Sequence, residues 1–230
     1  MKFVYKHLIY TSKQLKDFIM NKDKGFLIAV EGNDGAGKST QIKWLSKYYK
    51  SKGYKVLVAR YNMSYTTLSA IKEGKKRKFS GEVNTYLHFM SIKDQFHQYV
   101  DFYLKKGYIV IFDRYIYSVV ARGFARNVNN DVLNFLLQQC LKPNAILYLD
   151  IIPQKSINRL GDSINYWESG LDIFKNDSKE DSFIKFQTLV RIKMKELIKK
   201  EKNYIIVDGS EMKTDIFKQL IVFLKGYELL

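Results

Sequence analysis

The string Gly32-Asn33-Asp34-Gly35-Ala36-Gly37-Lys38-Ser39, followed by Thr40, carries the clearest chemistry in the chain, a complete GxxxxGK[ST] pattern. Glycines at this spacing let backbone N–H groups curl around phosphate oxygens. A helix starting at the lysine then turns its positive end towards the same anion. Lys38 is placed to reach the β- and γ-phosphates, and the Ser39 hydroxyl is a magnesium ligand in loops of this kind. Gly32 to Thr40 is therefore the candidate ATP-binding segment. A second signal is Asp113-Arg114, where a metal-binding carboxylate stands beside a planar fork suited to phosphate. Arg60 closes another apolar run in the same way. Two arginines and Lys38 at one edge suit a reaction between two phosphorylated molecules better than simple ATP hydrolysis.

Those side chains need a scaffold that brings them to one edge. Five apolar runs of about six residues provide it: Phe26–Glu31, Lys55–Arg60, Tyr108–Asp113, Ala145–Asp150 and Tyr204–Gly209. They are rich in β-branched residues and do not alternate, as expected of parallel strands buried on both faces. Helix-length segments separate them, among them 39–52, 84–106, 131–141 and 181–202. Strand–helix alternation of this kind predicts an α/β domain with right-handed crossovers. With the phosphate loop after the first strand, the expectation is a three-layer P-loop NTPase fold. Its five-stranded parallel sheet would carry helices on both faces and a short lid. Asp113, Asp150 and Asp208 end strands, where ligands of such sheets bind; each is a metal or substrate contact or a helix cap. Residues 25–230 form the expected domain, with a lid at about 161–177. Residues 1–24 form an extension that adds one short helix (Leu15, Phe18 and Ile19 inward) or a surface arm.

Composition narrows the class. The 230 residues hold 46% apolar and 27% charged side chains, only 2 Pro and 13 Gly, which excludes collagen-like and low-complexity chains. The lone cysteine, Cys140, rules out an internal disulfide framework and fits a reducing, cytoplasmic setting. No apolar run approaches the ~18 residues of a membrane span. The net charge of +16 points to an anionic partner. The basic runs Lys75–Lys78 and Lys199–Lys202 read as solvated faces rather than a nucleic-acid contact. His7, His88 and His97 show no metal-binding spacing.

The chain resembles the thymidylate kinase family over about residues 25 to 210. The resemblance rests on FLIAVEGNDGAGKSTQ and DRYxxSxxA at Asp113–Ala121, supported by LHFMSIK at Leu87–Lys93, YLDIIP at Tyr148–Pro153 and VDGS at Val207–Ser210. It implies transfer of the γ-phosphoryl group of ATP to dTMP with Mg²⁺. It also implies a homodimer through helices on one sheet face, for which the apolar side of 84–106 is suited. Carried over by position, Asp34 contacts the acceptor sugar 3′-hydroxyl, Arg60 and Arg114 hold the acceptor phosphate, and Asp113 helps Ser39 organise Mg²⁺. Phe89 falls where a phenylalanine stacks on thymine, Lys93 where an arginine donates to a thymine carbonyl, and Ser118 at a polar position near the base.

Several positions depart from the family pattern. Arg122 stands where an aromatic residue lies against the deoxyribose. Arg122 and Arg126 either meet an extra acceptor charge or close a structural ion pair. Family members carry a catalytic arginine in the phosphate loop or in the lid. Here the loop position is Gly35, and the stretch 161–177 contains no arginine. Arg159 is the nearest replacement, with Lys175 behind it. These departures leave two further readings: a kinase for another nucleotide or a deoxynucleoside, and a low-turnover nucleotide-binding regulatory or nucleic-acid-associated protein.

Overall fold

The computed structural model describes residues 25–227, so the proposed N-terminal helix lies outside the described residues. Five strands form one all-parallel sheet: β1 (Phe26–Gly32), β2 (Val56–Arg60), β3 (Ile109–Asp113), β4 (Ala145–Asp150) and β5 (Tyr204–Asp208), in the spatial order β2-β3-β1-β4-β5. The apolar runs therefore sit where their composition placed them. β1, at the centre, is buried along its whole length, whereas the edge strands β2 and β5 are only partly covered.

The period of two along β1 sorts the core into two halves. Leu27 and Ala29 point to one face, packing with Ile92, Val120, Phe186 and Met194. Phe26, Ile28 and Val30 point to the other, against Ile42, Leu45, Leu220 and Leu224. The second face is covered by α1 (Lys38–Ser51) and the C-terminal α9 (Lys213–Lys225). The first carries α3 (Gly81–Gln95), α4 (Ile116–Phe124), α5 (Asn130–Gln138) and α8 (Lys179–Ile198). Helix, sheet and helix make the three layers of a P-loop NTPase fold.

Some boundaries differ from the periodicity. α3 starts at Gly81 because the Ser80 hydroxyl accepts from Val83 N. After Gln95 it widens into a π-helical turn (Phe96–Val100) before a last α turn (Asp101–Lys105), and buried Val100 stays in the core. α2 (Tyr65–Lys76) is capped by Ser64, whose Oγ accepts from Thr67 N at 3.2 Å. After β4, α6 (Pro153–Leu160) begins with proline at its first position. The segment that follows is a 3₁₀ turn and the short α7 (Tyr166–Ser169). Reciprocal capping bonds between Asn165 and Glu168 close α7.

Candidate active site

The phosphate loop is built from the end of β1 upwards. Gly37 caps α1 with φ +90° and offers no side chain, and the first turn of α1 holds no acidic residue. The free N–H groups of that turn and the helix dipole thus face an anion site. Gly35 has φ +76°, and a Cβ there would stand 2.8 Å from Ser156 Oγ. A side chain at that position would be strained and would crowd Ser156. Ser156, on α6, donates to the Asp34 carbonyl, and Asn33 Nδ2 donates to Gln187 O at 2.9 Å, so two helices brace the loop. Lys38 Nζ turns back onto the carbonyls of Gly32 (3.0 Å) and Asn33 (2.8 Å). Burial pushes its ammonium down to about 7, and Arg114 adds to this against the pull of Asp34 and Asp113.

Asp34 joins the loop to a second set of charges. One carboxylate oxygen pairs with Arg114; the other pairs with Arg122 and accepts from Gln187 Nε2 at 2.9 Å. Burial alone would raise its pKa; Arg122, Arg114 and Lys38 together hold it far below the usual carboxylate range. Arg114 adopts φ +61°, a left-handed conformation costly for a side chain with a Cβ. Its guanidinium also donates to Gly32 O at 2.8 Å and its backbone N–H to Val30 O at 3.0 Å. Behind it lies Glu31, fully buried at the end of β1, accepting from Tyr115 N (2.9 Å), Ser118 N (3.2 Å) and the Ser118 hydroxyl. Burial lifts Glu31 to about 7 against those hydrogen bonds and Arg114.

β2 and β3 pair with Arg60 level with Asp113, which places Arg60 Nε 3.3 Å from the Asp113 carboxylate. Gln95, on α3, donates to Arg60 O at 2.8 Å and fixes the strand end. Asp34, Arg60, Asp113, Arg114 and Arg122 all line one cleft of about 230 Å³. Its other walls come from Tyr61 after β2, from Asn84, Thr85 and His88 on α3, and from Asn165, Trp167 and Glu168 over the top. The covering segment is latched. Arg126 pairs with Asp172 at 2.7 Å, donates to Trp167 O at 2.9 Å, and lies over the Phe186 ring at 4.4 Å. Trp167 Nε1 in turn donates to Lys75 O on α2 at 3.2 Å. A second cavity, about 760 Å³, opens beside Gly35–Gly37 and the loop after β5.

Other predicted positions stand elsewhere. Phe89 packs against the first core half, and Lys93 is exposed, donating to Gln139 O at 2.9 Å; neither lines the cleft. Successive residues on a helix point about 100° apart, so the cleft face of α3 runs through Asn84, Thr85 and His88 and leaves Phe89 turned to the core. Ser118 is fully buried behind the cleft on Glu31. Arg159 turns to the second cavity, donating to Gly209 O (2.8 Å) and Gly35 O (3.3 Å). Lys175 is exposed. Ser39 is exposed at the start of α1 and Thr40 half-buried. Arg122 pairs with Asp34 and Arg126 with Asp172. Asp150 is taken by Arg191 and Lys195, and Asp208 accepts from Ser210 N at 2.8 Å.

Residues not foreseen include Glu31, Ser156, Gln187, Tyr61 and His88. Only Glu31 left a signal, a charge inside a run otherwise apolar.

The thymidylate kinase family model matches residues 30–221, from the last residues of β1 through most of α9. The chain belongs to the thymidylate kinase family. It is 32% identical over 197 residues to a probable thymidylate kinase 2 of Saccharolobus solfataricus, covering 84% of this chain and 92% of that one. It is 30% identical over 204 residues to a thymidylate kinase of Caldicellulosiruptor saccharolyticus, covering 86% and 94%. A thymidylate kinase of a Thermoanaerobacter species is 28% identical over 212 residues, 89% of this chain and 99% of that one. Family membership makes the chain an ATP-dependent phosphotransferase. Among the described residues, no helix is long and apolar enough to cross a membrane.

Proposed function

We propose that the protein transfers the γ-phosphoryl group of ATP to dTMP, giving ADP and dTDP. One observation carries the reading. Asp34 belongs to the phosphate loop by its backbone, yet its carboxylate lines the arginine-walled cleft. The donor site and the acceptor cleft therefore meet at a single residue.

The loop N–H groups and Lys38 hold the ATP phosphates, and binding draws Lys38 away from the Gly32 and Asn33 carbonyls. Arg60 and Arg114 hold the acceptor phosphate at the strand ends. An oxygen of that phosphate attacks the γ-phosphorus while the bond to the bridging oxygen breaks, and the electron pair leaves with ADP. Lys38, Arg114 and Arg122 put positive charge beside the moving group, and the latched segment over the cleft excludes water. Asp34 accepts the acceptor sugar hydroxyl in this reading. Mg²⁺ fits the donor set, because it asks for one or two carboxylate or hydroxyl oxygens besides phosphate and water. Asp113 is half-buried at a strand end, and the exposed Ser39 hydroxyl makes no hydrogen bond among the described residues. These two would hold the ion, which when bound neutralises charge on the β- and γ-phosphates.

The same reading includes a homodimer and a cytoplasmic setting. Val83, Tyr86 and Met90 form an exposed apolar stripe on α3, suited to a second copy. The Cys140 thiol, pushed up to about 11 by burial, is inert in a reducing compartment.

The test is ADP release with ATP, MgCl₂ and a panel of nucleoside monophosphates and nucleosides, alongside Lys38→Ala. Selective turnover of dTMP, lost in the variant, is expected. Selective turnover of a different acceptor, or none, overturns the reading.

A further inference from the structure

The cleft wall supplied by α3 carries no formal charge. Asn84, Thr85 and His88 share one helical face, and all three line the cleft. Their donors are already in use. Thr85 Oγ1 donates to Gly81 O at 2.8 Å, and Asn84 Nδ2 donates to Phe79 O (2.9 Å) and Ser80 O (3.0 Å). Asn84 Oδ1 is left as a buried acceptor that no donor meets among the described residues.

His88 completes the pattern. Its Nδ1 lies 2.7 Å from Asn84 O, and a carbonyl only accepts, so Nδ1 carries the hydrogen. Burial lowers the ring to about 4, and Lys75, Arg122 and Arg126 press the same way, so it is neutral at physiological pH. A neutral ring with hydrogen on Nδ1 leaves a lone pair on Nε2, for which no hydrogen-bond partner occurs among the described residues. Tyr61 stacks on the ring at 4.8 Å and 22°, which fixes the direction of that lone pair. The α3 wall thus gives the cleft an open acceptor at His88, in a cavity whose other walls carry five cationic side chains, three carboxylates and several neutral groups. A ligand edge facing it must bring a hydrogen-bond donor, and on a pyrimidine base that donor is an N–H.

We propose that His88 reads the acceptor base, its Nε2 accepting the N3–H of a thymine or uracil ring. This rests on the dTMP reading for the identity of the acceptor. Thymine and uracil carry a hydrogen at N3. Cytosine carries a lone pair there, which would oppose the lone pair of His88. A site built around one such hydrogen bond rejects an analogue that cannot make it more strongly than it rejects a change of size.

The experiment uses the full chain with ATP and Mg²⁺, measuring kcat/KM for dTMP, dUMP, dCMP and N3-methyl-dTMP. The wild type is expected to turn over dTMP and to lose about a hundredfold or more on N3-methyl-dTMP, a measurement that needs no variant. His88→Leu is expected to lower kcat/KM for dTMP by about tenfold, to leave KM for ATP unchanged, and to collapse the dTMP-to-dCMP ratio. His88→Gln, whose amide can donate or accept, is expected to keep dTMP within a few-fold and to raise dCMP. Equal use of dTMP and its N3-methyl analogue overturns the assignment. So does a His88→Leu loss that is the same for dTMP and dCMP. Wild-type preference for dUMP over dTMP would refute the dTMP reading while supporting His88 as the N3–H acceptor. Preference for dCMP would overturn both.

Discussion

Replacing Asp34 with asparagine keeps the shape of the side chain and removes its charge. The Arg114 and Arg122 side chains are 9% and 13% exposed, and Asp34 is the carboxylate that both of them pair with. The amide leaves two buried guanidinium groups without the carboxylate they pair with. Breaking a buried ion pair from one side costs about 3–5 kcal/mol. For a domain of this size, each kcal/mol moves Tm by about 2–4 °C, so a fall of about 6–20 °C is expected. Relief should follow from removing one stranded charge: Asp34→Asn with Arg122→Met is expected to recover roughly half of the loss, because the two arginines share one carboxylate.

The pH dependence gives an independent check on the same carboxylate. Its folded pKa lies below its unfolded value, so its stabilisation is present above the unfolded pKa and is lost as pH falls through the folded one. The gap between wild type and Asp34→Asn should therefore stay flat from pH 8 down to about 5 and narrow only in stronger acid. Urea denaturation followed by circular dichroism measures both quantities. A loss below about 1 kcal/mol, or no recovery in the double variant, would refute Asp34 as the counter-ion of the two arginines.

Glu31 has its folded pKa raised to about 7 from 4.5, so the folded state binds the extra proton between those values. Its contribution makes stability fall as pH rises through that window, and Glu31→Gln should remove the slope in urea titrations at pH 4.5 to 7. Lys38 runs the opposite way: with its pKa lowered from 10.5 to about 7, the unfolded chain binds more protons between those values. Nucleotide-free stability should rise from pH 7 to 10, and Lys38→Met should flatten that rise while reducing phosphoryl transfer at least a hundredfold. Arg126→Met removes the bonds to Asp172 and Trp167 O. Faster amide exchange at residues 165–172 and a higher KM for the acceptor should follow, with KM for ATP unchanged.

How legible the molecule was in its sequence depended on whether neighbours along the chain or neighbours in space supplied the signal. The strands were readable because parallel strands buried on both faces need apolar runs, and β1, β3 and β4 are apolar up to a carboxylate at or next to their last residue. The phosphate loop was readable because backbone geometry demands glycine at set intervals. Arg60 and Arg114 were readable because the first ends a strand and the second follows one, and both strand ends lie at the cleft. The cleft wall on α3 was not, since the choice between His88 and Phe89 turns on helix rotation, which adjacent letters do not encode. A carry-over one position out exchanges a cleft residue for a core residue. Ser156 and Gln187 touch the loop across sequence separations of 122 and 153 residues, and nothing local marks them.

The arginine-free covering segment becomes intelligible beside Arg122. Phosphoryl transfer needs positive charge over the moving group, but it does not prescribe which element brings it. In this chain the segment at 161–177 is held by Arg126 and Trp167, and it contributes Asn165, Trp167 and Glu168 to the roof of the cleft. It brings polar and aromatic side chains to the cleft and no cation. Arg159 is committed to the Gly209 and Gly35 carbonyls on the far side of the loop. Arg122, by contrast, is anchored on α4, already charged, and held against Asp34 beside Arg114 and Lys38. A cation supplied from a helix of the core does not depend on the position of the covering segment. Arg122→Met should therefore lower kcat while leaving exchange at 165–172 unchanged, the reverse of Arg126→Met. A kcat effect confined to Arg159→Met would place the charge on α6 instead.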